Sequence, residues 1–418
     1  MIKLSILLFR RGPSIKYMPN LIISCCICMM TMLGSCAKQG TLNMKQESDN
    51  AIDDLDKVLA KMSVKSPICD EQKLRIRLFH NAMVFGDSLS DEGVLLAALN
   101  TISNKEIVFS PIFHESRSLS NGPLTFERVV SGLNLPALTV GFSFPFSQGI
   151  KEKAGTNYAA AMAAATPGND LLHGMIVNHL QLSKQIDAAI RHNPSLGKDD
   201  LCFIMILGND IMRALDAGER EGNKIIDCAA NELKNAINRL AEKGVTHIVV
   251  ANAPNIGLIP KFVGTNKQAL ATALTVSINQ KIIDILRDCN KKWSLYGVQV
   301  LLFDLFKQST EIINAYDKKG YDTTHPGVTD VEDNFNSTQK FFSLWTQGGT
   351  IHATYKPPRT KENMDNAVFF DSFHPTGGVH KKLGNHILEH VIPKFEENKE
   401  AEAYLQVATT SLAEIDLD

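Results

Sequence analysis

Four short apolar runs constrain the fold of this chain more than any other feature of its sequence. Segments with helical periodicity separate them, among them 225–243, which Gly244 follows, and 268–289. Strands that alternate with helices pair in parallel through crossover connections and build a three-layer α/β/α sandwich around a central parallel sheet. The runs that we predict as buried parallel strands are 82–85, 201–207, 247–251 and 298–303.

Polar residues follow three of these predicted strands at the point where each strand ends. Ser88 follows the first run in a tight Gly-Asp turn, Asn209 follows the second and Asn255 follows the third. Ligands of such folds bind beyond the carboxyl ends of the strands. We therefore expect a functional site at this edge of the sheet.

A second informative block lies far along the chain, where it reads Phe369-Phe370-Asp371-Ser372-Phe373-His374-Pro375-Thr376. A serine hydroxyl becomes a good nucleophile when an imidazole takes its proton, and the imidazole needs an acceptor on its other nitrogen. Asp371 and His374 lie three residues apart and can meet directly on one loop. The alternative is that Asp371 only caps a helix that begins near Thr376.

Six blocks in a fixed order carry a family resemblance. The series is similar to the GDSL lipolytic hydrolases of the SGNH superfamily, in the subgroup of bacterial phospholipases, haemolysins and acyltransferases. The likeness covers about residues 80–392 and implies a flavodoxin-like fold. The blocks are Gly86-Asp87-Ser88-Leu89, Ser120-Asn121-Gly122-Pro123, Gly155-Thr156-Asn157-Tyr158-Ala159, Leu207-Gly208-Asn209-Asp210, Ala253-Pro254-Asn255-Ile256-Gly257 and the block at 371–376.

The resemblance implies a role for each matching residue. Ser88 is the expected nucleophile, His374 the general base and Asp371 the carboxylate that orients it. The backbone N–H of Ser88 and the side-chain amide of Asn209 are the expected donors to the oxyanion. Asp210 is expected to cap the following helix instead.

The chain departs from the family pattern after Asn157-Tyr158-Ala159. The family has a glycine pair there, whose second member lends a backbone N–H to the oxyanion, whereas this chain has Ala161 and Met162. Any residue except proline keeps that N–H, so Met162 remains a candidate donor. Glycine would allow positive φ and a closer backbone approach. The alanine-rich run 159–165 is otherwise expected to be the start of a helix.

The N-terminus has the features of an export signal. Residues 1–35 contain four basic residues and no acidic ones, and the basic residues precede an apolar run at 21–34 that is too short to span a bilayer. Leu33-Gly34-Ser35-Cys36 resembles the lipobox of bacterial lipoproteins, which predicts a lipid on Cys36 and a place in the outer membrane. An ordinary cleaved signal would instead leave a secreted or periplasmic protein.

These features divide the chain into four parts. Residues 1–35 are predicted to be a lipoprotein-type signal peptide and 36–77 a tether. Residues 78–395 form the predicted hydrolase domain and 396–418 a C-terminal tail. Within the domain, 104–150 and 305–368 lack steady periodicity and are expected to be insertions around the site.

Composition limits the partners of the mature protein. The 418 residues carry a net charge of -2, which becomes more negative once the basic signal segment is removed, so no nucleic-acid partner is expected. Neither a metal nor an organic cofactor is implied. Cys202 is expected to be an apolar side chain that fills space in a strand. An exported chain would keep Cys69, Cys202, Cys228 and Cys289, and their spacing does not determine which of them pair in disulfides.

The predicted function is hydrolysis of acyl esters by a serine esterase. Glycerophospholipids and lysophospholipids are the expected substrates, with transfer of the acyl group to another acceptor as an additional activity; short-chain esters or acetylated sugars are the alternative. Two other classes remain open. His386-Ile387-Leu388-Glu389-His390 matches the H-x-x-E-H motif of zinc proteases, and the fold could also serve a non-catalytic surface lipoprotein.

Overall fold

A parallel sheet of four strands lies at the centre of the fold. The computed structural model describes residues 79–143, 150–168, 177–329, 343–344 and 346–397. In chain order the strands of the described residues are β1 (Asn81–Gly86), β2 (Ile107–Phe109), β3 (Phe142–Ser143), β4 (Lys151–Glu152), β5 (Asp200–Met205), β6 (His247–Ala251), β7 (Gln299–Phe303) and β8 (Gly349–Ile351). The central sheet has the order β1-β5-β6-β7, and every pair in it is parallel.

The four apolar runs are the four strands of this sheet, as predicted. The largest difference is at the end of the second run, where β5 stops at Met205 although the apolar stretch continues. Leu207 has a left-handed backbone, with φ 103°, and is the N-cap residue of the following helix. A continuous apolar run does not reveal this change of direction, because Leu207 is as buried as the strand itself.

Helices cover both faces of the sheet. The helices of the described residues are α1 (Val94–Ser103), α2 (Thr125–Gly132), α3 (Leu182–His192), α4 (Gly208–Ala217), α5 (Glu219–Lys243), α6 (Gln268–Trp293), α7 (Leu305–Asp317), α8 (Gly377–His386) and α9 (Lys394–Glu397). One group comprises α3 to α6, which pack on one another, and a second group comprises α2, α7 and α8. With the sheet between them they form the predicted three-layer α/β/α sandwich.

The two long helices extend beyond their predicted bounds. α5 starts six residues before the predicted 225 and ends where Gly244 takes a left-handed conformation, with φ 100°. α6 begins at Gln268 as predicted and continues past 289 to Trp293. By length and composition this helical region could cross a membrane, but half of its most apolar stretch is buried inside the domain.

The alanine-rich run does not begin a helix, so that expectation is wrong. The chain before it runs beside the free edge of β1: Val84 N–H donates to the Thr156 carbonyl, and Tyr158 N–H donates to the Val84 carbonyl, both at 2.8 Å. Turns follow, in which Ala161 N–H donates to the side chain of Asp91, and Ala165 and Thr166 N–H donate to that of Asp210. The segment thereby covers the edge of β1 and ends beside the carboxyl edge of the sheet.

The two segments expected to be insertions contain regular structure and contact each other. β2 from the first segment pairs in parallel with β8 from the second. The second segment also opens with α7, which its irregular hydrophobic spacing did not indicate. Asp304 caps this helix by accepting a hydrogen bond from Lys307 N–H at 3.1 Å.

Several predictions fall outside the described residues. These are the signal segment 1–35, the tether 36–77 with Cys36 and Cys69, and the tail from residue 398 onward. In the part of the chain that the structure describes, Cys202, Cys228 and Cys289 form no disulfide. Cys202 is fully buried in β5, as expected for an apolar filler.

Replacement of Gly86 by alanine tests how tightly β1 and β5 approach at the end of the sheet. A Cβ at Gly86 would lie 2.4 Å from the Met205 carbonyl oxygen, so one backbone must shift. We expect Gly86→Ala to lower the free energy of unfolding by about 1–3 kcal/mol, measured by urea denaturation. Gly197→Ala is the control, since its Cβ would meet nothing closer than 3.7 Å. Equal effects of the two substitutions would contradict the close approach.

Candidate active site

The end of β1 holds Ser88 at the carboxyl edge of the sheet. Asp87 N–H donates to the Met205 carbonyl at 3.3 Å, which keeps the chain against β5 for one residue after the strand. The Asp87 side chain then accepts a hydrogen bond from Leu89 N–H at 3.1 Å. These bonds bend the backbone around Ser88, whose side chain lines a cavity beyond the sheet.

Gln185, on α3, fixes the last residue of β1. Its side-chain oxygen accepts a hydrogen bond from Gly86 N–H, and its side-chain nitrogen donates to the Gly86 carbonyl, both at 2.8 Å. Gln185 is fully buried. Sequence reasoning missed this residue, because 99 positions separate it from Gly86 and no motif surrounds it.

The structure brings Ser88, His374 and Asp371 into one hydrogen-bonded chain. The Nε2 atom of His374 lies 2.8 Å from Ser88 Oγ. Its Nδ1 atom lies 2.8 and 2.9 Å from the two oxygens of Asp371. The side chains of His374 and Asp371 are only 13% and 3% exposed. This arrangement is able to pass a proton from the serine hydroxyl to an imidazole whose orientation a buried carboxylate fixes.

Asp371 also shapes the loop that carries the histidine. Its Oδ1 atom accepts hydrogen bonds from Phe373 N–H at 2.9 Å and from His374 N–H at 2.7 Å. The following helix begins only at Gly377, with Thr376 as its N-cap residue. The alternative that Asp371 merely caps that helix is therefore wrong.

Three potential donors to a developing oxyanion line the cavity beside Ser88. Among residues 158–163, the amides of all except Met162 donate to acceptors within the described part of the chain. The same part of the chain offers no acceptor to the Ser88 amide. Asn209 donates one hydrogen of its side-chain amide to the Ala163 carbonyl at 2.8 Å, which leaves the other available.

Two buried aspartates hold the segment that contains Met162. Asp91 accepts a hydrogen bond from Ala161 N–H at 2.7 Å. Asp210 accepts hydrogen bonds from Ala165 N–H at 2.8 Å and from Thr166 N–H at 3.0 Å. The expectation that Asp210 caps a helix is thus wrong, because its carboxylate binds a loop 44 and 45 residues earlier in the chain.

A largely apolar cavity of about 510 Å³ surrounds the catalytic candidates. Its walls come from α4, α7, α8 and the loops at the carboxyl edge of the sheet. Aliphatic residues dominate the walls on the side of α7 and α8, among them Leu305, Ile312, Ile313, Val379 and Leu383. Such a cavity suits an apolar ligand whose reacting group lies at Ser88.

Comparison with known proteins agrees with this geometry. A family model described as GDSL-like lipase/acylhydrolase matches residues 83–387, which is most of the chain. The chain belongs to the GDSL family. A search among curated proteins finds no match.

Membership in the GDSL family places the chain among ester hydrolases. The matched residues include all three members of the hydrogen-bonded chain, from Ser88 to His374. They also include Asn209 and Met162, which line the same cavity. The predicted family, the coarse activity and the fold are therefore confirmed.

The GDSL site does not include the second histidine motif. His386 and His390 are close, with ring centroids 4.8 Å apart. Burial lowers the pKa of His386 to about 4. Within the described ranges, no group of three or more His, Cys, Asp or Glu side chains is placed to hold a metal ion. The motif therefore has no third ligand of these types among those residues.

Burial gives Asp87 an unusual electrostatic state next to this site. Loss of hydration raises the pKa of Asp87 to about 7, although the hydrogen bond from Leu89 N–H and the charge of His374 act in the opposite direction. In the unfolded chain the same carboxyl has a pKa of about 3.8. Between these two values the folded protein retains a proton that the unfolded chain has released, so stability falls as the pH rises.

Replacement of Asp87 by asparagine tests this effect. Asparagine still accepts a hydrogen bond from Leu89 N–H but does not titrate. We expect the loss of unfolding free energy between about pH 5 and pH 8 to be smaller in Asp87→Asn than in the wild type, measured by urea denaturation at each pH. The exposed Asp284 provides the control Asp284→Asn. An unchanged pH dependence in Asp87→Asn would contradict the elevated pKa.

Proposed function

We propose that this chain is a serine esterase that cleaves the acyl esters of lipids, with Ser88 as nucleophile, His374 as general base and Asp371 as the carboxylate that orients it. The observation that carries the proposal is the continuous chain of hydrogen bonds from Asp371 through His374 to Ser88. It opens into an apolar cavity, where the reacting ester would be shielded from water.

The proposed reaction has two halves. Ser88 Oγ attacks the ester carbonyl carbon while His374 Nε2 takes the hydroxyl proton. The bond between that carbon and the alcohol oxygen then breaks, and His374 gives the proton to the leaving alcohol. A water molecule next attacks the acyl-enzyme and gives a proton to His374. The bond between the acyl carbon and Ser88 Oγ then breaks, His374 Nε2 returns the proton to Oγ, and the carboxylic acid leaves.

The oxyanion would be held by the Ser88 and Met162 backbone N–H groups and by the Asn209 side chain. The two backbone groups have no acceptor within the described residues, and the Asn209 bond to Ala163 fixes the orientation of the amide. Donors that are fixed before the reaction stabilise the developing charge without reorganisation. Removal of one such donor typically lowers turnover by about 10²–10³.

Phospholipids and lysophospholipids are the substrates that we favour. The aliphatic walls suit a long acyl chain, whereas a sugar substrate needs polar side chains to bind its hydroxyl groups. Lys261 lines the same cavity, and its ammonium group lies 5.4 Å from the centroid of the Phe373 ring, beside His374 in sequence. A cation at this position would attract the phosphate of a lipid head group.

Acyl transfer to a second alcohol would use the same acyl-enzyme. An acceptor that displaces water from the cavity would take the acyl group as an ester. The resemblance to the bacterial phospholipase and acyltransferase subgroup motivates this extension. Formation of a cholesteryl ester when cholesterol is added to a phospholipid substrate would support it, and release of free fatty acid alone would contradict it.

Replacement of Ser88 by alanine tests the nucleophile. We expect the release of fatty acid from lysophosphatidylcholine to fall by roughly four to six orders of magnitude, with a thermal unfolding midpoint close to that of the wild type. Ser90→Ala is the matched control, because the buried Ser90 hydroxyl has no partner among the described residues and lies outside the hydrogen-bonded chain. Turnover that survives in a folded Ser88→Ala protein would refute the proposed mechanism.

We further propose that the mature protein is anchored by a lipid on Cys36 and faces its substrates as an exported lipoprotein of the outer membrane. The support lies in the basic N-terminus, the apolar run and the Leu33-Gly34-Ser35-Cys36 sequence. Loss of the lipid would leave a secreted or periplasmic esterase. A tether of about forty residues would let the catalytic domain reach lipids at some distance from the anchor.

Replacement of Cys36 by alanine tests the anchor. We expect metabolic labelling with a radioactive fatty acid to disappear from Cys36→Ala, because the proposed attachment atom is its sulfur. Cys28→Ala, within the apolar run, is the control and should remain labelled. Continued labelling of Cys36→Ala would exclude this lipobox.

A further inference from the structure

Met162 has a backbone conformation that suits glycine better than methionine. Its φ is 68°, in the left-handed region. A side chain there is sterically unfavourable, and bulky residues adopt this conformation rarely. Strain of this kind persists only where the surrounding structure enforces it, and it concentrates at functional sites.

The other non-glycine residues with positive φ have evident local explanations. Asn104 and Asn134 end helices, where asparagine tolerates the left-handed conformation. Glu115 and Ser116 form a turn in which Glu115 pairs with an arginine at 2.6 Å. Leu207 is fully buried, so its side chain contributes to the core. Met162 fits none of these cases, because it neither ends a helix nor lies fully in the core.

Hydrogen bonds on both sides impose the conformation of Met162. Ala160 N–H donates to the Gly86 carbonyl at 3.2 Å and Ala161 N–H donates to Asp91 at 2.7 Å. On the other side Ala163 N–H donates to the Ala160 carbonyl at 3.0 Å. Glycine would adopt the same turn without the steric cost. The backbone alone therefore does not account for methionine at this position.

The side chain of Met162 lies where it can act on the substrate. It is partly buried against the core and lines the same cavity as Ser88 and His374. Met205 and Met212 line the cavity as well. Methionine side chains are flexible and polarizable, and they adapt to apolar ligands of different shape.

From these observations we propose that the Met162 side chain is a specificity-determining wall of the acyl-binding cavity, which favours long acyl chains over short ones. The inference rests on the proposed function, since it assigns the cavity to the acyl group of the substrate. An acetyl group ends one carbon beyond the reacting carbonyl, whereas a decanoyl chain continues along the cavity wall. Loss of the thioether removes contact with the longer chain and widens the cavity beside the reacting carbonyl.

The experiment compares three substitutions at this position. Met162→Gly removes the side chain, Met162→Gln keeps its length but makes it polar, and Met162→Leu keeps it apolar. The measured quantity is kcat/KM for p-nitrophenyl decanoate divided by kcat/KM for p-nitrophenyl acetate. Asn134→Gly is the control, because it relieves a left-handed conformation outside the cavity lining.

We expect Met162→Gly and Met162→Gln to lower this ratio by about tenfold, the usual size of an apolar pocket contact. Met162→Leu and Asn134→Gly should keep it within about threefold of the wild-type value. A ratio that Met162→Gly leaves unchanged overturns the proposal. A decrease of the ratio in Met162→Leu as large as that in Met162→Gly also overturns the proposal, because an apolar contact would then not explain the preference for the longer chain.

A binding measurement separates this inference from the proposed function. In the Ser88→Ala background, calorimetry should show that Met162→Gly raises the Kd for decanoate by about tenfold. Failure of the proposed function would appear as wild-type turnover that does not depend on Ser88. Failure of the present inference would appear as an unchanged ratio, or as unchanged decanoate binding, in an enzyme whose turnover does depend on Ser88.

Discussion

The buried carboxylate of Asp91 joins the two backbone segments that meet at Ser88. It accepts hydrogen bonds from Gly93 and Val94 N–H at the start of α1, at 2.7 and 2.6 Å, and from Ala161 N–H on the opposite segment at 2.7 Å. One side chain thus links the segment that follows Ser88 to the segment that carries the Met162 amide. Burial raises the pKa of Asp91, and the backbone hydrogen bonds counteract that rise by stabilising its charge.

The site combines a buried framework of strands with a loop that is stabilised by its own hydrogen bonds. β1 and β5 supply the buried framework, while Gln185 fixes the last residue of β1. The loop from Asp371 to His374 is closed by its own carboxylate and by a hydrogen bond from Phe370 N–H to the His374 carbonyl at 2.7 Å. Because the histidine loop is stabilised locally, the Ser88–His374 distance depends mainly on how β1 and the final block of the domain pack together.

The sequence predicted the features that depend on local or repetitive patterns. The four strands were readable because buried parallel strands are continuously apolar. The family resemblance singled out Asp371 and His374, and their spacing of three residues showed that the two side chains can meet. Gln185, Asp91 and Asp210 were missed or misassigned. Each of them binds a segment at least 44 positions away in the chain. The local sequence around a polar residue does not indicate such a distant hydrogen-bond partner.

The segment that covers the free edge of β1 also carries the Met162 amide a few residues later. It joins the sheet by backbone hydrogen bonds at an edge, and edge segments are released at lower energetic cost than central strands. Partial release would displace the Met162 amide, the proposed oxyanion donor, while β5, β6 and β7 stay paired. Inactivation by mild denaturant would then precede the loss of bulk secondary structure.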